Sequence, residues 1–145
     1  MIRLPSLVRA LPGLTLVLVA CAGCRPTFKA DGTLVVNGAT FQPVACQVLA
    51  PRATGVGLTD SKGTELELML PPMTLRAWET ISGAPSVALT LPGEASINLG
   101  PCGRLTLKGE GYHGEGKRAA SGTASLECSA GRSTVRGDLT FTGCF

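Results

Sequence analysis

The sequence predicts a small all-β domain, an antiparallel sandwich or barrel that is stabilised by disulfides. Short apolar runs recur at a spacing of roughly 8–12 residues between turn-forming residues, which is typical of antiparallel sheets. After the apolar N-terminal segment, no stretch has the periodicity of a long amphipathic helix. Four cysteines are spread over the domain, and a small domain in an oxidising compartment uses such residues to supplement a modest core.

The predicted strands are apolar or alternate between apolar and polar residues, and Gly, Pro, Asn or Asp bounds them. In chain order they cover 34–36, 39–41, 44–49, 56–59, 64–70, 87–91, 95–99, 104–108, 122–128 and 133–141. The segment 73–81 is ambiguous, and we favour a strand or an irregular loop over a short helix. Trp78 within it is expected to be in the core or half-buried at a sandwich edge.

Two turn signals and one alternating run define the first half of the domain. Asn37-Gly38 supplies the positive φ angles of a type I′ turn, which predicts a tight hairpin. Residues 60–63 (Asp-Ser-Lys-Gly) form a second turn signal between two apolar runs. In the run that follows, Leu66, Leu68 and Leu70 occupy alternate positions, so we expect a half-buried strand.

The last third of the chain has the clearest alternation. A glycine-rich loop over 109–117 is expected to connect two strands. In the final run, one set of residues should face the core and the other the solvent. The first set is Val135, Leu139 and Phe141, and the second is Arg136, Asp138 and Thr140.

The hairpin prediction discriminates among the three possible pairings of the four domain cysteines. If 103–110 pairs with 119–128, Cys102 and Cys128 lie opposite each other, at a Cα separation of about 4.5–5.5 Å that suits a disulfide. Cys128 and Cys144 would instead lie roughly 35 Å apart along the last strand. We therefore favour Cys102–Cys128 together with Cys46–Cys144.

The N-terminus has the pattern of a secretory signal. Arg3 and Arg9 give a positive start, and residues 11–20 are apolar and uncharged. This run falls short of the roughly 20 residues that a membrane-spanning helix needs, and Pro12-Gly13 interrupts it. Residues 1–20 are therefore predicted to be a signal peptide.

The end of this segment, Leu18-Val19-Ala20-Cys21, resembles the lipobox of bacterial lipoproteins. The resemblance covers about the first 21 residues. It implies that a diacylglycerol is attached to the Cys21 thiol, that the signal peptide is cut before this residue, and that the new amine is also acylated, for example by palmitate. It further implies a place in the cell envelope and, in a Gram-negative host, in the outer membrane, since Ala22 rather than aspartate follows.

Two alternatives stay open at this site. An ordinary secretory signal cut near Ala20 would leave Cys21 incidental. Cys24 could instead be the lipidated residue, although it lacks a branched apolar residue three places upstream. Lipidation at Cys21 leaves five cysteines and therefore one unpaired thiol, whereas lipidation at Cys24 leaves four. We favour Cys21 on the quality of the box.

Beyond the signal peptide, residues 21–32 are predicted to be a lipidated tether and residues 33–145 the domain. The whole chain has 13 basic and 10 acidic residues; without Arg3 and Arg9, 11 basic residues remain. This near-neutral balance does not favour nucleic acid as a partner. The membrane, through the covalent lipid, and an envelope protein are the expected partners.

No motif predicts a catalytic, metal or cofactor site. Residues 109–114 match the letters of a dinucleotide-binding loop, but a strand pattern rather than a helix follows. The single histidine, His113, lies between Glu110 and Glu115 in the predicted glycine-rich loop, and one histidine with two glutamates is a small ligand set for a metal. We therefore expect no cofactor and no metal, and structural disulfides rather than redox cysteines.

The sequence favours a lipid-anchored, non-enzymatic envelope protein that serves as a structural or partner-binding module. The first alternative is a carrier of a lipid or small apolar ligand inside a β-barrel. A hydrolase or metalloenzyme centred on His113 is a distant third.

Overall fold

The computed structural model describes residues 27–50, 53–112 and 118–145. Within these ranges the chain forms β-strands and no helix. The strands are β1 (Lys29–Val36), β2 (Ala39–Phe41), β3 (Pro43–Leu49), β4 (Thr54–Asp60), β5 (Glu65–Leu70), β6 (Thr80–Gly83), β7 (Ser86–Thr90), β8 (Ile97–Pro101), β9 (Arg104–Tyr112), β10 (Arg118–Ala130) and β11 (Ser133–Cys144).

The strands form two antiparallel sheets. The six-stranded sheet has the order β2-β1-β11-β10-β9-β6, and the five-stranded sheet has the order β3-β4-β5-β7-β8. Each sheet ends in edge strands, and the two pack in a sandwich-like arrangement around one hydrophobic cluster. The predicted all-β, disulfide-stabilised class is therefore confirmed, in its sandwich form.

The core follows from the alternation of the strands. Leu66, Leu68 and Leu70 of β5 are buried, as their spacing predicts. In β11, Val135, Leu139 and Phe141 are buried, whereas Arg136, Asp138 and Thr140 are exposed, which confirms the predicted facing. Burial of each such leucine contributes about 1.5–3 kcal/mol relative to exposure.

The predicted hairpin at Asn37-Gly38 is present between β1 and β2. Asn37 has φ 51° and Gly38 has φ 81°, the left-handed values that a type I′ turn requires. The turn is also tied to β11, because the Asn37 N–H donates to the Thr134 carbonyl at 2.9 Å and the Asn37 Oδ1 accepts from the Thr134 N–H at 2.8 Å.

Several strands are longer than their apolar patterns. β1 begins at Lys29 and so includes the last residues of the predicted tether, because the ladder with β11 starts at the Lys29–Thr142 pair. β10 runs from Arg118 to Ala130, beyond the predicted 122–128. Backbone pairing extends into residues with no apolar alternation, because a ladder satisfies N–H and C=O groups whatever the side chains.

The expectation for Trp78 is wrong. The segment between β5 and β6 is irregular, in agreement with one of the two favoured options, but the Trp78 side chain is 71% exposed. Leu75 packs against the core instead. The Trp78 backbone has φ 64°, so the residue follows neither strand nor helix periodicity and its side chain lies outside the core.

In the part of the chain that the structure describes, there is no helix with the length and hydrophobicity needed to span a membrane.

Candidate functional site

The predicted lipidation site lies outside the described residues, and so does its alternative. Cys21 and Cys24 both precede Thr27, where the described chain begins. Thr27 lies against the end of β11, since a Cβ added to Gly143 would collide with the Thr27 carbonyl oxygen. Gly143 has φ 71°, and its lack of a side chain permits this close approach. The chain therefore enters the domain at this end of the six-stranded sheet.

The four domain cysteines form two disulfides. Cys46 of β3 pairs with Cys144 of β11 at a Cα separation of 4.8 Å, and Cys102 pairs with Cys128 of β10 at 5.5 Å. These are the pairs that the hairpin argument favours. Cys128 and Cys144 are buried, which is typical of structural rather than reactive cysteines.

The residues of the hydrolase or metalloenzyme hypothesis, which is centred on His113, are only partly described by the structure. His113 and Glu115 lie outside the described residues, and Glu110 lies on β9 with a partly exposed side chain. Among the residues that the structure describes, no three or more His, Cys, Asp or Glu side chains are grouped so that they could hold a metal ion. The described residues therefore give this hypothesis no support.

The outer face of the six-stranded sheet carries an open depression of about 660 Å³. Four central strands contribute to it, and we call it the outer depression. Its lining consists of Thr33, Val35, Gly103, Arg104, Ser125, Leu126, Glu127, Arg136, Gly137 and Asp138. The alternation within β11 predicts that Arg136 and Asp138 face outward. The depression itself could not be predicted, because it depends on the order of the strands in the sheet.

Cross-strand register explains the charge pattern of the outer depression. Glu127 of β10 lies directly opposite Arg136 of β11, and Ser125 lies between Asp138 on one side and Arg104 on the other. Opposite charges at neighbouring positions stabilise such a face modestly. Because it is open and presents both signs of charge together with hydroxyl groups, the outer depression suits the surface of a partner protein better than an enclosed apolar ligand.

A row of hydroxyl side chains crosses the same face. Thr140, Thr123, Thr106 and Ser82 occupy successive paired positions on β11, β10, β9 and β6. The Ser82 and Thr106 hydroxyl oxygens are 2.9 Å apart, and the Arg104 Nε–H donates to the Ser82 Oγ at 3.2 Å. The outer face is therefore a solvated, hydrogen-bonding surface.

The second distinctive surface feature is the segment 75–79, which we call the Trp78 loop. The Trp78 N–H donates to the Gly109 carbonyl at 2.6 Å, and the Gly109 N–H donates to the Glu79 carbonyl at 2.9 Å. The guanidinium of Arg118 donates to the Leu75 carbonyl. These bonds fasten the loop to β9 and β10, and no sequence pattern indicates them.

Gly109 is required by this arrangement. A Cβ at this position would collide with the Arg76 carbonyl oxygen, so only glycine lets the loop approach β9 so closely. From the sequence, Gly109 belongs to a glycine-rich stretch that could be assigned only to a connecting loop.

Comparison with protein families, with curated proteins and with solved structures finds no match for this chain.

Proposed function

We propose that the protein is a bacterial envelope lipoprotein, anchored by a lipid on Cys21, whose β-sandwich is a non-enzymatic structural or partner-binding module. The observation that carries this proposal is the coincidence of a basic start, a short apolar run and the box Leu18-Val19-Ala20-Cys21. Outer-membrane placement in a Gram-negative host is part of the proposal.

The two disulfides support export, since disulfides persist in oxidising compartments and are rare in the cytosol. The position of Thr27 supports the anchor, because the chain enters at an exposed end of the domain and a membrane-bound lipid would not obstruct folding. The outer depression supports partner binding, because it is open and carries both signs of charge.

The alternative of an apolar ligand carrier receives less support. A carrier needs inward side chains that line a space, whereas the large inward residues of both sheets belong to one buried cluster. Leu58, Leu66, Leu89 and Leu107 are all fully buried in that cluster. This favours a packed core.

The anchor is tested by mass spectrometry of the mature N-terminus after cells are fed radiolabelled palmitate. We expect label on the wild type and a mature chain that begins at a modified Cys21. Cys21→Ala should abolish the label and leave the signal peptide uncleaved, because the thiol takes the lipid before cleavage.

The matched control is Cys24→Ala, which should keep both label and cleavage. An unmodified N-terminus in the wild type would contradict the anchor. Label that survives Cys21→Ala and disappears with Cys24→Ala would move the anchor to Cys24.

A further inference from the structure

Trp78 combines exposure with an unusual backbone. Its side chain is 71% exposed, the highest value among the exposed large hydrophobic residues of the described chain. Its φ of 64° is uncommon for a bulky residue and is held by the surrounding structure at a cost in free energy. Strain of this kind points to a function for the side chain, because the fold gains little buried area from it.

We propose that Trp78 and the Trp78 loop contact the surface of the lipid bilayer that holds the anchor, with the indole at the level of the lipid headgroups. This inference rests on the lipid anchor proposed above. Tryptophan suits this place because its ring is largely apolar, whereas its N–H finds partners among headgroups and water.

The loop presents the indole in a fixed position. The bond from the Trp78 N–H to the Gly109 carbonyl restrains the backbone of the tryptophan itself. The Glu79 N–H donates to the Arg76 carbonyl at 3.2 Å, and the Glu79 carboxylate accepts from the Arg76 N–H at 3.2 Å. An anchor that is already ordered loses little conformational entropy when it enters the interface.

The tether and Trp78 lie at the same end of the six-stranded sheet. Trp78 is bonded to Gly109, which is paired with Ala120, and Ala120 is paired with Cys144. Cys144 follows the glycine that packs against Thr27. Four steps of the strand spacing therefore separate the tether from Trp78 along one line, a distance of about 19 Å.

The tether is short enough to hold this end near the membrane. Six residue steps join Cys21 to Thr27. Even fully extended, these span only about 20 Å, so a lipid on Cys21 keeps the end that bears Trp78 within reach of the headgroups.

The charges at this end fit an anionic bilayer. Among the residues that the structure describes, four cationic side chains and two side-chain carboxylates lie here. The cations are Lys29, Arg76, Lys108 and Arg118, and the carboxylates are Glu79 and Glu110. The excess of positive side-chain charge among these residues favours a negative surface.

Trp78 is the only tryptophan of the chain, so its fluorescence reports this contact directly. The lipidated mature protein is reconstituted into vesicles of phosphatidylethanolamine and phosphatidylglycerol, with and without brominated acyl chains. We expect blue-shifted emission, several-fold weaker quenching by acrylamide than in the delipidated protein, and strong quenching by the brominated lipid.

The control is the double variant Trp78→Phe with Arg132→Trp, which moves the tryptophan to the exposed turn between β10 and β11. This turn lies at the far end of β10, about 40 Å away for a strand of 13 residues. Its tryptophan should be quenched by acrylamide on vesicles and unaffected by brominated lipid.

Vesicle flotation separates the two proposals. Protein that does not float contradicts the anchor and this inference together. Floated protein whose Trp78 remains open to acrylamide contradicts the bilayer contact alone. Floated protein whose Trp78 is shielded from acrylamide and unquenched by brominated lipid also overturns the inference, because a second copy or another protein then covers the indole.

Discussion

At the scale of single residues, Asp60 shows how one side chain shapes a turn. It is 8% exposed, and its Oδ1 accepts the Lys62 N–H at 2.8 Å and the Thr64 N–H at 2.9 Å. The Asp60 backbone adds a bond from its N–H to the Thr64 carbonyl at 3.0 Å. The carboxylate therefore satisfies two N–H groups that the β4–β5 connection leaves without a strand partner.

Replacement of Asp60 should destabilise the domain. We expect Asp60→Ala to lower the free energy of unfolding by about 2 kcal/mol, since two N–H groups lose a charged acceptor in a largely buried site. Asp60→Asn keeps an oxygen at the same place and should cost clearly less. Urea unfolding followed by circular dichroism measures both, and an equal loss in the two variants would contradict the role of Oδ1.

The turn at 60–63 and Trp78 show which structural features can be predicted from neighbouring residues in the sequence. The letters of 60–63 predict a turn, and the structure has one there. The burial of Asp60 could not be predicted, because it depends on how neighbouring strands close over the turn. The prediction that Trp78 is buried or half-buried was wrong for a related reason. The position of this residue is set by hydrogen bonds that involve Gly109, 31 residues further along the chain. The alternation of apolar and polar residues in a strand gives no information about contacts between residues so far apart in sequence.

At the scale of elements, the β1–β2 hairpin depends on left-handed backbone at its turn. A Cβ added to Gly38 would meet nothing within 4 Å, so a substitution there has a conformational cost and no steric one. We expect Gly38→Ala to lower the free energy of unfolding by about 1 kcal/mol, because an alanine at φ 81° is strained.

Gly111 on β9 is the matched control for Gly38. A Cβ there would lie 3.7 Å from the Trp78 ring, an ordinary van der Waals contact, and its φ lies outside the left-handed region. Gly111→Ala should be neutral or slightly stabilising in thermal and urea unfolding. A loss equal to that of Gly38→Ala would show that backbone conformation is not the cause.

Strand existence was largely predictable, and strand neighbours were not. Alternation within each run predicts the burial of Leu66 and Val135 without knowledge of any partner. The pairing of β1 with β11 joins residues about a hundred positions apart, and nothing in either run specifies the other. The outer depression draws on both strands, so the sequence could indicate its outward charges but not their assembly into one surface.

At the scale of the whole molecule, the two disulfides reinforce the sandwich unequally. Cys46–Cys144 joins the two sheets and closes 98 positions of sequence, whereas Cys102–Cys128 closes 26. Loop-entropy arithmetic gives contributions of about 4.7 and about 3.5 kcal/mol. The double variant Cys46→Ala with Cys144→Ala should therefore lose about 1 kcal/mol more of the free energy of unfolding than the double variant Cys102→Ala with Cys128→Ala.

Urea unfolding of both double variants under oxidising conditions measures this difference. Wild-type protein in reducing buffer supplies the reference for loss of both bonds. If the variant without Cys102–Cys128 were the less stable of the two, constraint of the unfolded chain would not be the dominant effect.

The adjacency of β1 and β11 has a consequence for the order of events during biogenesis. The first strand finds its main partner only in the last, and Cys46 finds its partner only in Cys144. When the chain is synthesised or translocated from its N-terminus, the domain therefore cannot close until β11 is available for pairing. Such long-range closure slows folding. If the protein is exported as we propose, this delay would keep the chain from becoming compact before it has crossed the membrane.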